Sequence, residues 1–119
     1  MRKARNIVLA AVAALGLSLA VMPAQAAKTK KRTVMVEDYF YSPAKMTVKR
    51  NTVIVWKWPA GGGDGHDVYM KKGPRGVKRF RSEVLFADAT YRKKLTKRGT
   101  YRIICTLHES SMKQTIRVK

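Results

Sequence analysis

Apolar positions in this chain recur in short runs with a period of two, and turn residues separate the runs. Val34-Met35-Val36 opens a first strand, followed by the aromatic cluster Tyr39-Phe40-Tyr41 and a turn at Ser42-Pro43-Ala44. Met46 and Val48, then Val53 and Val55, alternate with polar or charged residues, the period of a half-buried strand. The run Thr52-Val53-Ile54-Val55-Trp56-Lys57-Trp58 is rich in β-branched and aromatic residues. Pro59 to Gly65 then breaks all regular structure, and His66 to Met70 resumes as a short strand. Residues 71–83 read as a basic connection, and 82–88 leave room for a short helical turn. Ala89–Leu95 and Thr100–Cys105 are strands joined by Thr96-Lys97-Arg98-Gly99; Met112–Val118 closes the chain. Short strands at even spacing predict an all-β domain, an antiparallel sandwich or barrel with Greek-key connections.

The start of the chain has a different pattern. Arg2, Lys3 and Arg5 precede an apolar run from Ile7 to Met22, and Ala24-Gln25-Ala26 forms an A-x-A cleavage site. Residues 1–26 therefore read as a secretory signal peptide, with export to the periplasm or outside the cell. After its removal no segment is long and apolar enough to span a bilayer. Residues 27–32 read as a flexible basic lead-in, and 33–119 as one small domain.

Composition narrows the chemistry. A domain this short often needs a staple, yet the chain has one cysteine, so no disulfide can form within it. An exposed thiol is a liability in an oxidising compartment, and metal coordination would protect it. Cys105 is followed by His108 and Met112 in a Cys-x2-His-x3-Met pattern, and the only other histidine, His66, follows the glycine-rich loop. Thiolate, two imidazoles and a thioether are the ligand set of a mononuclear blue-copper site. Thiolate and thioether suit Cu(I), imidazole suits both oxidation states, and one tight loop can set three ligands around one point. Zinc could use Cys and two His, but the ligand order and the methionine favour copper. Cys105 and His108 three residues apart on one loop are poor geometry for a nucleophile and its base, so the chain reads as no enzyme.

Charge adds a partner class. Lys and Arg number 26 against 7 Asp and Glu, a net +19, and removing residues 1–26 would leave +16. Such a field attracts anionic partners. Export and the lack of a nucleic-acid motif argue against nucleic acid. A redox protein with an acidic docking surface, or an anionic cell-envelope polymer, fits better.

The motifs Phe40-Tyr41-Ser42-Pro43-Ala44, Gly65-His66-Asp67-Val68 and Gly99-Thr100-Tyr101 leading into Cys105 resemble those of the cupredoxins, in particular plastocyanin-like and pseudoazurin-like small blue-copper proteins. The resemblance covers almost the whole of 33–119 and implies a Greek-key β-sandwich. It implies one copper per chain, with His66, Cys105 and His108 equatorial and Met112 axial. It implies that Asp67 ties the first-ligand loop to Thr106, and that the protein is a monomeric carrier of single electrons. Electrons would pass through the edge of His108, with Leu107 and Ala60 in an apolar docking patch and Lys71, Lys72 and Arg75 steering the partner. The alternative is a copper storage or delivery protein with no redox partner. The loop departs from the family in holding three residues between His108 and Met112, and in carrying Glu109-Ser110-Ser111 where a proline is usual.

Overall fold

The computed structural model describes Gly16 and residues 29–119; the rest of the expected leader, within 1–26, lies outside the described residues. Eight strands follow: β1 (Lys31–Glu37), β2 (Phe40–Ser42), β3 (Lys45–Val48), β4 (Thr52–Trp58), β5 (Tyr69–Lys72), β6 (Ala89–Leu95), β7 (Gly99–Ile104) and β8 (Lys113–Val118). They form two four-stranded sheets in the orders β2-β1-β4-β6 and β3-β8-β7-β5. Only β1–β2 and β7–β8 are consecutive strands paired within one sheet; every other connection crosses between sheets or skips a neighbour, the Greek-key habit. The architecture is an all-β sandwich.

Burial alternates along most strands, but in β4 the set that enters the core is not the expected Val53 and Val55. In β4, Thr52, Ile54, Trp56 and Trp58 face the interior, while Lys57 is exposed. Trp56 and Trp58 are fully buried; at 150–250 Å² each, their burial contributes on the order of 4–6 kcal/mol gross apiece. Val34 and Val36 of β1, Tyr101 and Ile103 of β7, and Ile116 and Val118 of β8 complete the same core. One polar residue joins it. Gln114, 2% exposed, accepts from Trp56 Nε1 at 2.9 Å and donates through Nε2 to the Pro43 carbonyl at 2.9 Å. A buried amide with partners on both sides ties the two sheets at one register.

Three further expectations change. The sheets are not purely antiparallel: β1 runs parallel to β4, and β3 parallel to β8. Alternation is the same in either direction, so the pattern could not distinguish them. Lys31 and Arg32, read as part of the basic lead-in, are the first residues of β1. Residues 82–88 contain no helical turn. Phe80, Ser82 and Leu85 instead exchange backbone hydrogen bonds with Met70, Val68 and His66, so this segment runs beside the short strand and covers it.

Strand direction separates two ends. β1 and β4 finish, and β5, β6 and β8 begin, at one end, where the 59–68 and 105–112 loops lie. The turns at 49–51 and 96–98, the start of β1 and the C-terminal Lys119 lie at the other.

Candidate metal centre

Two loops and one turn meet at the first end. Cys105 follows the last residue of β7 and is fully buried. Its N–H donates to the Met112 carbonyl at 3.1 Å, and the Met112 N–H donates to the His108 carbonyl at 2.9 Å. His108 N–H donates to the Cys105 carbonyl, and Ser111 N–H to the His108 carbonyl. The three residues between His108 and Met112 thus form a hydrogen-bonded turn, and a proline is not needed to close it. Met112 is fully buried where the loop returns to β8.

His66 comes from the 59–68 loop, pinned by reciprocal backbone hydrogen bonds with Leu85 at 3.0 Å. Its ring is buried, 2% exposed. The glycines before it have steric reasons. Gly61 and Gly62 hold φ of 97° and 72°, in the left-handed region. A Cβ on Gly63 would stand 2.7 Å from the Asp38 carboxylate.

The donor atoms converge. His66 Nδ1 and His108 Nδ1 are 3.2 Å apart, and Cys105 Sγ lies 3.9 Å and 3.7 Å from them. A point equidistant from all three lies about 2.1 Å from each, close to ordinary metal–imidazole and metal–thiolate lengths. These three residues form the one cluster of metal-ligating side chains found among the described residues. Burial pushes the Cys105 thiol up from its ordinary value, so an entering metal must displace a proton held by a dry sulfur.

The surrounding polar groups fix this arrangement. Asp67, fully buried, accepts from Thr106 N–H at 2.7 Å and from Thr106 Oγ1 at 2.6 Å. Arg81 donates to the same carboxylate from Nε at 3.1 Å and pairs with it through Nη2 at 3.0 Å. The Asp67 carbonyl accepts from buried Tyr41 Oη at 2.5 Å. Asp67 therefore joins the His66 loop to the residue after Cys105.

Two contributors escaped sequence reasoning. His66 Nε2 donates to Asp38 Oδ1 at 2.9 Å. That bond, reinforced by the Asp64 amide, holds the Asp38 carboxyl below its ordinary range. With Nε2 carrying the proton, the Nδ1 lone pair of His66 is left for the centre. Tyr39, at φ 68°, sets its ring edge-on to His108 with centroids 4.8 Å apart, and its hydroxyl donates to Asp64. A lone Asp-Tyr pair in a turn carries no motif; the only signal was an exposed tyrosine beside an acid ahead of a short strand.

Of the expected docking residues, Leu107, Lys71 and Lys72 lie on or beside the ligand loop, and Arg75 does not. Leu107 is 55% exposed beside the half-buried His108, and Lys71 pairs with Glu109 of the ligand loop. Lys71 and Lys72 share one groove with Glu109, Arg102 and Lys113 on the outer face of the second sheet. Arg75 is elsewhere: its carbonyl accepts from Lys97 Nζ, at the end of the sandwich away from the metal centre.

The family model for a cupredoxin-like domain matches residues 7–118. Among solved structures, the chain is similar to a mutant of amicyanin in its reduced Cu(I) form, with 22% identity, 79% of this chain and 85% of that one covered, and TM-score 0.64. It is similar to a pseudoazurin from Sinorhizobium meliltoi, with 18% identity, 76% and 75% covered, and TM-score 0.65. A copper-containing nitrite reductase from Thermus scotoductus SA-01 is 26% identical over 73% of this chain but only 22% of its own length, with TM-score 0.59. No curated protein matches.

Proposed function

The chain belongs to the cupredoxin-like family, its cofactor is copper, and on that premise we propose that it is an exported blue-copper carrier of single electrons. The observation that supports this most is the Nδ1–Nδ1–Sγ triangle, whose sides of 3.2, 3.7 and 3.9 Å suit one trigonal ion. Copper supplies the one-electron step between Cu(I) and Cu(II). The protein's residues do the rest. His66, Cys105 and His108 would hold the ion, with the Met112 thioether as a weaker fourth ligand. Asp67 and Thr106 keep the Cys105 loop and the His66 loop at fixed separation, so little rearrangement accompanies electron transfer. Burial of Cys105 and His66 keeps water from the sulfur, while half-buried His108, flanked by Leu107 and Tyr39, is the edge through which electrons leave. The partner is a redox protein that docks on this edge. Export rests on the sequence of residues 1–26. Rapid, repeated reduction and reoxidation of the copper-loaded protein without copper loss tests the reading; release of copper on each reduction would favour storage or delivery.

Asp38 makes a specific contribution to this function. Its carboxylate places negative charge on the protonated nitrogen of His66, which favours Cu(II) over Cu(I). Asp38→Asn keeps an oxygen acceptor and removes the charge. Outer-shell partners of metal ligands are worth about 10–100-fold in affinity. A loss of about tenfold in Cu(II) affinity, with Cu(I) affinity unchanged, raises the reduction potential by about 59 mV. Protein-film voltammetry of the two proteins measures the shift; an unchanged potential would leave Asp38 a merely structural partner.

A further inference from the structure

All seven acidic residues lie toward the metal end: Glu37 as the last residue of β1 and Asp38 just after it, Asp64 and Asp67 in the 59–68 loop, Glu83 and Asp88 before β6, and Glu109 in the ligand loop. The opposite end has none. There, exposed Lys30 precedes β1, Lys49 and Arg50 form the β3–β4 turn, Lys97 and Arg98 form the β6–β7 turn, and Lys119 ends the chain. Backbone hydrogen bonds gather them. Arg50 N–H donates to the Lys119 carbonyl at 3.1 Å, Asn51 N–H to the Leu95 carbonyl at 2.8 Å, and Val53 N–H to the Lys30 carbonyl at 2.8 Å. Lys49 stands against Lys30 and, by hydrogen bonding and repulsion, lowers its pKa. Six like charges on one face, with no acidic side chain among them, repel one another and oppose the compact state, and a terminal carboxylate on Lys119 offsets only one of them. An anionic partner removes that penalty.

We propose that this end of the sandwich is a docking platform for an anionic phospholipid surface. Two observations favour lipid over a soluble polyanion. The cations are spread over two turns, a strand start and the C-terminus rather than lined along one strand or cleft, as a plane of headgroups requires. The chain also enters the domain through this end. Before any cleavage only the seven residues 23–29 separate the apolar run Ile7–Met22 from Lys30 in the sequence, so a membrane that takes up that run is within reach of these lysines. A groove of about 300 Å³ opens beside the platform, lined by Lys78, Lys93, Lys94 and Lys97 over Phe80 and Leu95, a setting for a single headgroup phosphate. The seven-residue strand β4 puts the metal edge roughly 20 Å away. A molecule docked through this end turns His108, at the other end, away from the surface and free for its partner.

The test uses protein purified from cells expressing the full chain, in whatever form they accumulate it, and loaded with copper. Sedimentation compares vesicles of phosphatidylcholine alone with vesicles containing phosphatidylglycerol; any contribution from the apolar run is common to both. Binding is expected to be at least about tenfold tighter to the anionic vesicles and to fall with added salt. The combined variant Lys49→Glu, Arg50→Glu, Lys97→Glu, Arg98→Glu is expected to lose that preference. A control with the same charge change on the outer face of the second sheet (Lys45→Glu, Arg102→Glu, Lys113→Glu, Arg117→Glu) keeps most of it. Equal losses from both variants would reduce the platform to a share of overall charge and overturn the proposal. Binding to dextran sulfate without binding to anionic vesicles would assign the face to a polyanion and overturn it too. Should the platform variant not fold, lysine acetylation of the unmutated protein decides: protection of Lys49, Lys97 and Lys119 by anionic vesicles, but not of Lys45 and Lys113, supports docking, and uniform labelling contradicts it.

Discussion

Replacing Cys105 with serine is expected to abolish the intense thiolate-to-copper absorption completely while leaving the fold in place. The side chain is fully buried, and the change exchanges one atom of similar size, so no cavity large enough to unfold the core appears. The loss is chemical. A hydroxyl near neutral pH is neither an anionic ligand nor a soft one, and the sulfur is the only soft anion near the two imidazoles. His66 and His108 retain a weak nitrogen site for Cu(II), with a pale spectrum and poor retention of Cu(I). Visible titration beside a far-ultraviolet melt separates the two effects. Persistence of the band in the serine protein would place the chromophore on another residue.

Truncating Asp67 to alanine should be the most damaging change outside the ligands. Its carboxylate is fully buried and carries the Thr106 N–H, the Thr106 hydroxyl and the Arg81 guanidinium. Hydrogen bonds to a charged group contribute about 1.5–3 kcal/mol each, and a stranded buried N–H costs a further penalty. Arg81 is half exposed and regains water, so its share is discounted. A net loss of about 2–4 kcal/mol follows, which in a domain of this size lowers the melting temperature by roughly 10–25 °C. Copper affinity should fall about 10–100-fold because the two ligand loops lose their tie. Asp67→Asn is the discriminating companion. Its carbonyl oxygen still accepts from Thr106 N–H, and its amide can donate to Thr106 Oγ1, so it should recover most of the affinity. Equal damage from both variants would mean that charge, rather than the loop tie, is what Asp67 supplies.

These effects differ in how visible they were in the residues themselves. β4 could be read as a strand from Thr52 to Trp58, but not its inward face: the period of two was read on Val53 and Val55, whereas Thr52, Ile54, Trp56 and Trp58 enter the core, and apolar residues on both faces leave the choice open. The three converging donors were also visible, since a chain with one cysteine and two histidines has few ways to build such a site. Strand direction was not visible: the parallel β1–β4 pair depends on crossings between sheets, and a period of two carries no sense of direction. Val84, Leu85 and Phe86 defeated the pattern because their segment covers His66–Met70 through isolated bridges rather than a continuous ladder. Asp38 was hidden for a different reason. Its bond to His66 joins residues 28 apart, through a turn that places Tyr39 at positive φ and a glycine that leaves space for the carboxylate. Arg75 looked like a neighbour of Lys71 and Lys72 by sequence, but the chain carries it from the metal side to the far end within four residues.

The central claim is that His66, Cys105 and His108 hold one copper ion that cycles between two oxidation states. Visible absorption and electron paramagnetic resonance spectra of the protein with one equivalent of Cu(II) test it most directly. An intense thiolate-to-copper band that saturates at one equivalent, vanishes on reduction and returns on oxidation is the predicted result. A pale spectrum, or oxidation of the Cys105 thiol without stable copper, would contradict it.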